Sequence, residues 1–274
     1  YFQKSVVVLT RLPFINLMYK VCGIVAPSFF DDGVASLEAA CRDINLWPPL
    51  QNGSLLLPVL GNVMHTFLPS QAEADTVTQG LPQPSGSISV SPKDVYSYTS
   101  LSCVLSNLHL LWELVLTAEP IVVMASSPTA CSAMVQALVD LIQPLQYSAE
   151  YRPYFTIHDS EFKEFTKKQY NPPYVILGVT NPFFSKTLHH WPHTVKLNES
   201  VSYKSKLKKV GTAKTSDSAP GVYTQYKPYL TKDKTILKRL SGGSLRSERP
   251  AEVQAALVRR HMLELTHSFM IPLE

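Results

Sequence analysis

The sequence has few of the features that mark fibrous, membrane-spanning and disulfide-bonded proteins. Its 274 residues include only 11 glycines, and these show no Gly-X-Y period, which excludes a collagen-like chain. No uninterrupted apolar run approaches the roughly 20 residues that cross a bilayer. The 4 cysteines are far apart and none belongs to a Cys-x-x-Cys pair. We therefore expect buried, reduced thiols in a cytosolic protein.

Motifs of self-contained catalysis are also absent from the sequence. It has no Gly-x-Ser-x-Gly elbow, no His-Glu-x-x-His pair and no Gly-x-Gly-x-x-Gly loop. Three histidines lie close together, at His189, His190 and His193. The intervening Pro192 and the lack of a fourth ligand favour a helix end with exposed histidines over a metal site. We predict no metal, no cofactor and a binding or regulatory role.

Positive charge is concentrated near the C-terminus. Residues 1–195 carry 10 Lys and Arg against 14 Asp and Glu, whereas residues 196–274 carry 15 against 7, so the net charges are −4 and +8. The basic run at residues 203–209 could contact an anionic membrane or simply form a solvated loop. No pattern of aromatic and basic residues supports nucleic-acid binding. The lysines of this run are Lys204, Lys206, Lys208 and Lys209.

What the sequence does have is 45% apolar residues in helical and strand-like patterns, enough to build a core. In the first 69 residues the patterns predict a strand at 5–10, helices at 14–25 and 37–47, and a hairpin through Gly61-Asn62. Residues 70–93 are polar and turn-rich, which is typical of a linker.

Helices and apolar strands alternate in the next block of the chain. Strands are predicted at 121–125, 174–180 and 193–197, with an extended segment at 151–157. Ser127-Pro128 and Asn181-Pro182 begin helices, and Asp159 is expected to cap another. Such alternation predicts an α/β fold with a parallel sheet between helices. Further helices are predicted at 101–118, 232–240 and 250–269.

Several stretches resemble motifs of the DENN-domain family. They are YFQKSVVVLTRLPF at residues 1–14, LHLLWELVLTAEPIVVMA at 108–125, YRPYFTIHDSEF at 151–162, PPYVILGV at 172–179 and GVTNPFF at 178–184. The resemblance covers nearly the whole chain, and it is weak at residues 70–93 and 199–216. It implies a partial longin-like α/β module at 1–69, a linker at 70–93, a Rossmann-like central module at 94–198, a basic linker at 199–216 and the start of a helical downstream module at 217–274.

The resemblance further implies a guanine-nucleotide exchange factor for Rab GTPases of the recycling endosome, which promotes GDP release by binding the nucleotide-free GTPase between two lobes. Such a protein is expected in the cytoplasm and peripherally on the recycling-endosome membrane. An exchange factor binds the nucleotide-free GTPase better than the loaded form, so by linkage it weakens nucleotide binding. Because the sequence begins and ends inside elements, we expect a fragment, which need not exchange nucleotide by itself. The alternative is a Rab-binding or trafficking scaffold that has no exchange activity.

Candidate partner-binding residues lie in two loops that are predicted to follow strands. In a parallel sheet, ligands usually meet the loops at the carboxyl ends of the strands. One loop contains Thr180, Asn181, Phe183 and Phe184, and the other contains His158 and Asp159. The two phenylalanines are either interface anchors or the inward-packing start of a helix.

Overall fold

A computed structural model describes residues 5–11, 14–49, 51–68, 88–89, 96–168, 172–197, 219–240 and 250–273. The chain divides into two compact units, Tyr1–Val95 and Tyr96–Glu274, which we call unit 1 and unit 2. The division falls just after the predicted linker. Of that linker, only Ile88 and Ser89 are among the described residues. The basic linker at 199–216 lies outside them, so the module boundaries there remain predictions.

Unit 1 packs two helices against a short sheet. Its elements are α1 (Ile15–Asp32), α2 (Val34–Asn45), β1 (Gly53–Val59), β2 (Asn62–Leu68) and β3 (Ile88–Ser89). The strand order is β1-β2-β3, with β1 antiparallel and β3 parallel to β2. Leu17, Val21 and Val25 of α1 lie in one buried cluster with Leu57, Val59 and Met64 of the hairpin.

The predicted hairpin is confirmed, but its turn consists of Leu60 and Gly61 instead of Gly61 and Asn62, because Asn62 already pairs with Val59. Leu60 and Gly61 both have positive φ, 48° and 74°, as a two-residue turn between twisted strands requires. The Leu60 amide also donates to the Asp43 carboxylate at 2.7 Å, which ties the turn to α2. The strand predicted at 5–10 is wrong: these residues are irregular, because a β-branched run needs a neighbouring strand to pair with.

Unit 2 is built on a five-stranded sheet in the order β5-β6-β4-β7-β8. The first four strands of this order are parallel, as predicted, and β8 is antiparallel to β7. The sequence does not predict β8, whose residues show no clear alternation between buried and exposed positions. The strands are β4 (Ile121–Met124), β5 (Glu150–Arg152), β6 (Val175–Val179), β7 (His193–Lys196) and β8 (Gly221–Thr224).

Helices cover both faces of this sheet, which accounts for the continuous apolar runs of its central strands. One buried cluster joins Ile121 and Val123 to α4, α5 and α9, and another joins Val122 and Leu177 to α6 and α7. The helices of unit 2 are α3 (Tyr96–Leu101), α4 (Leu108–Leu116), α5 (Pro128–Asp140), α6 (Phe162–Thr166), α7 (Phe183–Thr187), α8 (Lys234–Leu240) and α9 (Ala251–Met270), with 3-10 helices at Ser102–Asn107 and Ile271–Leu273.

A long apolar helical stretch of unit 2 forms part of the protein core. By length and hydropathy, Tyr98–Leu116 is long and apolar enough to cross a membrane, and it is the one such helix within the described parts of the chain. Every residue of α4 from Leu108 to Val115 is buried inside the protein, as a core helix would be.

The four cysteines are all free, and only Cys131 is buried. Burial raises the pKa of the Cys131 thiol to about 12. Cys41 and Cys103 are exposed, so the prediction of burial is wrong for them.

Candidate partner-binding site at the carboxyl edge of the sheet

The loops that follow β4, β5 and β6 leave the same edge of the sheet, because these strands are parallel. After β4, Ser127 begins α5 as predicted: its hydroxyl oxygen accepts a hydrogen bond from the Ala130 amide at 3.2 Å. The loop after β5 carries His158 and Asp159, and the loop after β6 with the start of α7 carries the other four residues predicted to bind a partner. The carboxyl edge of unit 2 is therefore where the predicted site lies.

The loop after β5 lies directly against β6 at Gly178. The Phe155 amide donates to the Gly178 carbonyl at 2.7 Å. A Cβ on Gly178 would lie 2.2 Å from the Pro153 carbonyl oxygen and 2.5 Å from Cys131 Sγ, distances that no side chain tolerates. Glycine is required at this position because the loop and α5 both approach the strand backbone there.

Within this loop, the Asp159 side chain forms hydrogen bonds inside the loop itself and does not cap a helix. Its carboxylate accepts from the Thr156 amide at 2.7 Å and from the Thr156 hydroxyl at 2.8 Å. The His158 amide donates to the same hydroxyl, and the His158 ring is exposed. The predicted side-chain cap of α6 by Asp159 is wrong, because α6 begins after Glu161 and has no side-chain cap. The short turn back to Thr156 engages the carboxylate instead.

The loop after β6 is held by Asn181. Its side-chain oxygen accepts a hydrogen bond from the Phe183 amide at 2.9 Å. The preceding residue, Thr180, is half-buried. The chain then enters α7 with two phenylalanines that point to different environments. Phe184 is fully buried, whereas Phe183 is 47% exposed. The two alternatives left open by the sequence are thus divided between the two rings: Phe184 packs inward and Phe183 faces solvent.

A cluster of phenylalanines brings the two predicted stretches together. We call this set the edge cluster: Phe155, Phe162, Phe165, Phe183 and Phe184. The Phe162 ring stacks on Phe183 with centroids 6.3 Å apart and contacts Phe184 edge-on at 6.0 Å. Phe155 contacts both Phe165 and Phe184, at 5.4 Å and 5.8 Å. Helix α6 lies in the chain between the two predicted stretches, and its Phe162 therefore supports the exposed ring of Phe183.

Sequence reasoning missed the three supporting rings Phe155, Phe162 and Phe165. A signal was available, since Phe162 and Phe165 are three residues apart and so share a helix face. It also missed Tyr154 and Ile157, which are 44% and 45% exposed on the loop after β5. Exposed apolar side chains on two loops of one sheet edge can be buried by a partner protein.

The histidine-rich stretch belongs to a different part of the sheet. His189 is exposed as predicted, but His193 is buried on β7, so the prediction of exposure is wrong for it. His193 Nδ1 lies 2.7 Å from the Thr224 hydroxyl and Nε2 lies 3.2 Å from the Glu119 carboxylate. Burial lowers the pKa of His193, although Glu119 opposes that shift. Across the described ranges, no group of three or more His, Cys, Asp or Glu residues could hold a metal ion.

Comparison with known proteins places this architecture in a family. The model of the DENN (AEX-3) domain matches residues 1–192. This chain therefore belongs to the DENN (AEX-3) domain family, which confirms the resemblance seen in the motifs. The longin-like character of the first 69 residues stays a prediction.

Curated relatives narrow the comparison within the family. The chain is 48% identical to Protein DENND6A of Gallus gallus, 46% to Protein DENND6B of Homo sapiens and 30% to the Protein DENND6 homolog of Dictyostelium discoideum. Each alignment covers 100% of this chain and 49%, 49% and 48% of the relative, respectively. The chain thus spans about half the length of these relatives. The motifs at 151–162 and 178–184 resemble DENN domain-containing protein 6 in particular, and the relatives agree. A closer likeness to the B form stays a prediction.

Proposed function

We propose that this protein is a guanine-nucleotide exchange factor for Rab GTPases of endosomal recycling, and that it binds the nucleotide-free GTPase through the carboxyl edge of unit 2. The observation that carries the proposal is the Phe183 ring, exposed at this edge and supported by Phe162 and Phe184. Interfaces concentrate their binding energy in such aromatic anchors, provided that the anchor is held in place before binding. Membership of the DENN family supports the class of partner.

The proposed activity needs no covalent chemistry from this chain. If the carboxyl edge binds the nucleotide-free Rab more tightly than the GDP-loaded form, GDP must bind the complex more weakly by the same factor. An apolar surface with a rigid base suits this task, since its contacts form only with one shape of the GTPase. Tyr154 and Ile157, exposed on the loop after β5, and Phe183, exposed at the start of α7, supply that surface.

Localisation follows from the same proposal. A regulator of recycling Rabs acts in the cytoplasm and peripherally on recycling endosomes, where its partner resides. The lysines at 204, 206, 208 and 209, which lie outside the described residues, would add attraction to anionic lipids of about 1 kcal/mol each near a membrane.

The test measures binding of this chain to a panel of Rab proteins, each prepared GDP-loaded and nucleotide-free, together with release of fluorescent GDP. We expect a preference for the nucleotide-free form of a recycling Rab. Replacing an anchor should cost at least about 2 kcal/mol, so Phe183→Ala should weaken binding roughly 30-fold. The matched control is Tyr174→Ala, because Tyr174 is 68% exposed at the opposite, amino end of β6.

The outcomes separate the exchange factor from the alternatives. Faster GDP release that depends on Phe183 supports the proposal in full. Binding that depends on Phe183 but leaves GDP release unchanged in every Rab would select a Rab-binding scaffold instead. Equal affinity for both nucleotide states, or equal losses in Phe183→Ala and Tyr174→Ala, would overturn the proposed site.

A further inference from the structure

Two histidines meet where α9 packs on α4. His109 Nε2 lies 3.1 Å from His261 Nε2, and the rings contact edge-on with centroids 5.2 Å apart. At this distance one Nε2 donates a hydrogen and the other accepts it. The two residues are 152 positions apart in the chain, so only the docking of α9 brings them together.

The surroundings of this pair are closely packed. His109 is 4% exposed, and its Nδ1 has no hydrogen-bond partner among the described residues. One turn further along α4, Trp112 Nε1 donates to the Thr266 hydroxyl at 3.0 Å, and the indole contacts Phe269 edge-on. Water has little room to hydrate a charge on His109, so an added proton there is costly.

Charged groups from three elements face the pair, and most are already engaged. Glu113 of α4 accepts from the Tyr229 and Leu230 amides. Asp233, ahead of α8, caps that helix through two amides, and Glu264 of α9 pairs with Arg260. Lys232 adds a positive charge near His109. Burial keeps the pKa of both imidazoles below its ordinary value, and His261 lowers that of His109 further, although Asp233 favours protonation of both.

We propose that His109 and His261 form a pH-sensitive latch that holds α9 on α4 when the pair is neutral and releases it when both imidazoles are protonated. Once both rings are cations, each Nε2 carries a hydrogen, and the two hydrogens point at each other across 3.1 Å. The hydrogen bond is then lost and replaced by repulsion between the charge on the buried His109 and the charge on the half-buried His261. The latch is independent of the proposed Rab site at the carboxyl edge, whose supporting helices α6 and α7 belong to the other buried cluster of the sheet.

The sign of the pH dependence follows from linkage. In the docked state both pKa values lie below the ordinary value, which a released histidine recovers, at about 6.5. The released state therefore binds more protons as the pH falls below about 6.5. Docking is complete above that pH and weakens below it, by up to about tenfold per pH unit for each additional proton bound.

Hydrogen exchange of the whole chain, resolved by residue and corrected for intrinsic rates, tests this latch between pH 7.5 and 5.5. We expect protection of the α9 amides to fall at least about tenfold, while β4 and β6 keep theirs. Protonation of His193, another buried histidine, would lower the protection of β7 and β8 first, so its effect can be told apart from that of the latch. Trp112 fluorescence gives a second reading of the same contact.

Variants on α9 supply the controls. His261→Gln keeps a side chain that can hydrogen-bond to His109 but removes one titrating group, so the pH dependence should become less steep. His267→Gln makes the same change at an exposed position of the same helix and should behave as the unmodified chain does. The His109→Asn/His261→Gln chain should lose the dependence in α9. A pH-independent α9 in the unmodified chain, or an unchanged slope in His261→Gln, would overturn the latch.

Discussion

Unit 2 holds aromatic rings in two regions that differ in how they are fixed. In the edge cluster, five phenylalanines contact one another through their rings alone. At the α4–α9 interface, the rings of Trp112, His109 and His261 are also fixed by hydrogen bonds. Ring packing is insensitive to pH and tolerates one solvent-facing member, whereas a buried polar contact is directional and fails when a proton is added. The first arrangement suits a fixed docking surface and the second suits a joint that can open.

The largest expected effect breaks the edge cluster at its base. Phe184→Ala removes a fully buried ring that contacts three other phenylalanines, so unit 2 should lose about 3–5 kcal/mol of unfolding free energy. Phe183→Ala is the matched control, since its ring is half exposed, and should cost only about 0.5–1.5 kcal/mol. Urea unfolding monitored by circular dichroism measures both. Similar losses would show that the cluster does not distinguish an inner from an outer ring.

A smaller effect is expected at the α4–α9 interface. Trp112→Phe keeps an aromatic ring beside Phe269 but removes the hydrogen bond to Thr266, which should cost about 1–3 kcal/mol. Thr266→Val removes the other partner. If the hydrogen bond fixes the interface, the double variant should cost less than the sum of the single ones, as urea unfolding of the four chains would measure. Strict additivity would mean that this interface, like the edge cluster, depends on packing alone.

The smallest effect concerns the polar support of the edge. Asp159→Ala removes two hydrogen bonds to Thr156 from a half-buried carboxylate, so the loop should lose about 0.5–1 kcal/mol of local stability. Hydrogen exchange at the Thr156 and His158 amides should rise a few-fold, with the phenylalanine contacts intact. Glu164→Ala, an exposed carboxylate of α6, serves as the control. An equal change in both variants would mean that the turn contributes nothing to the edge.

Short-range features were predictable because their causes lie within a few residues. Ser127-Pro128 begins α5, and Gly61 marks the hairpin turn to within one residue, since caps and turns depend on local backbone geometry. The apolar strands β4 and β6 predicted a sheet that is covered on both faces. Where pairing with a neighbouring strand decides the outcome, the sequence pattern failed: segment 5–10 is irregular instead of a strand, and β8 was not predicted.

The sequence by itself determined the parallel α/β sheet of unit 2, the family motifs and the two loops in which a partner site would lie. Only the tertiary structure decided that Phe183 faces solvent while Phe184 is buried, and that His109 meets His261. Burial and long-range contacts depend on which surfaces pack together, and two residues 152 positions apart leave no periodic signal of their meeting. Local patterns fix what each segment becomes, whereas packing fixes which of its side chains remain available to act.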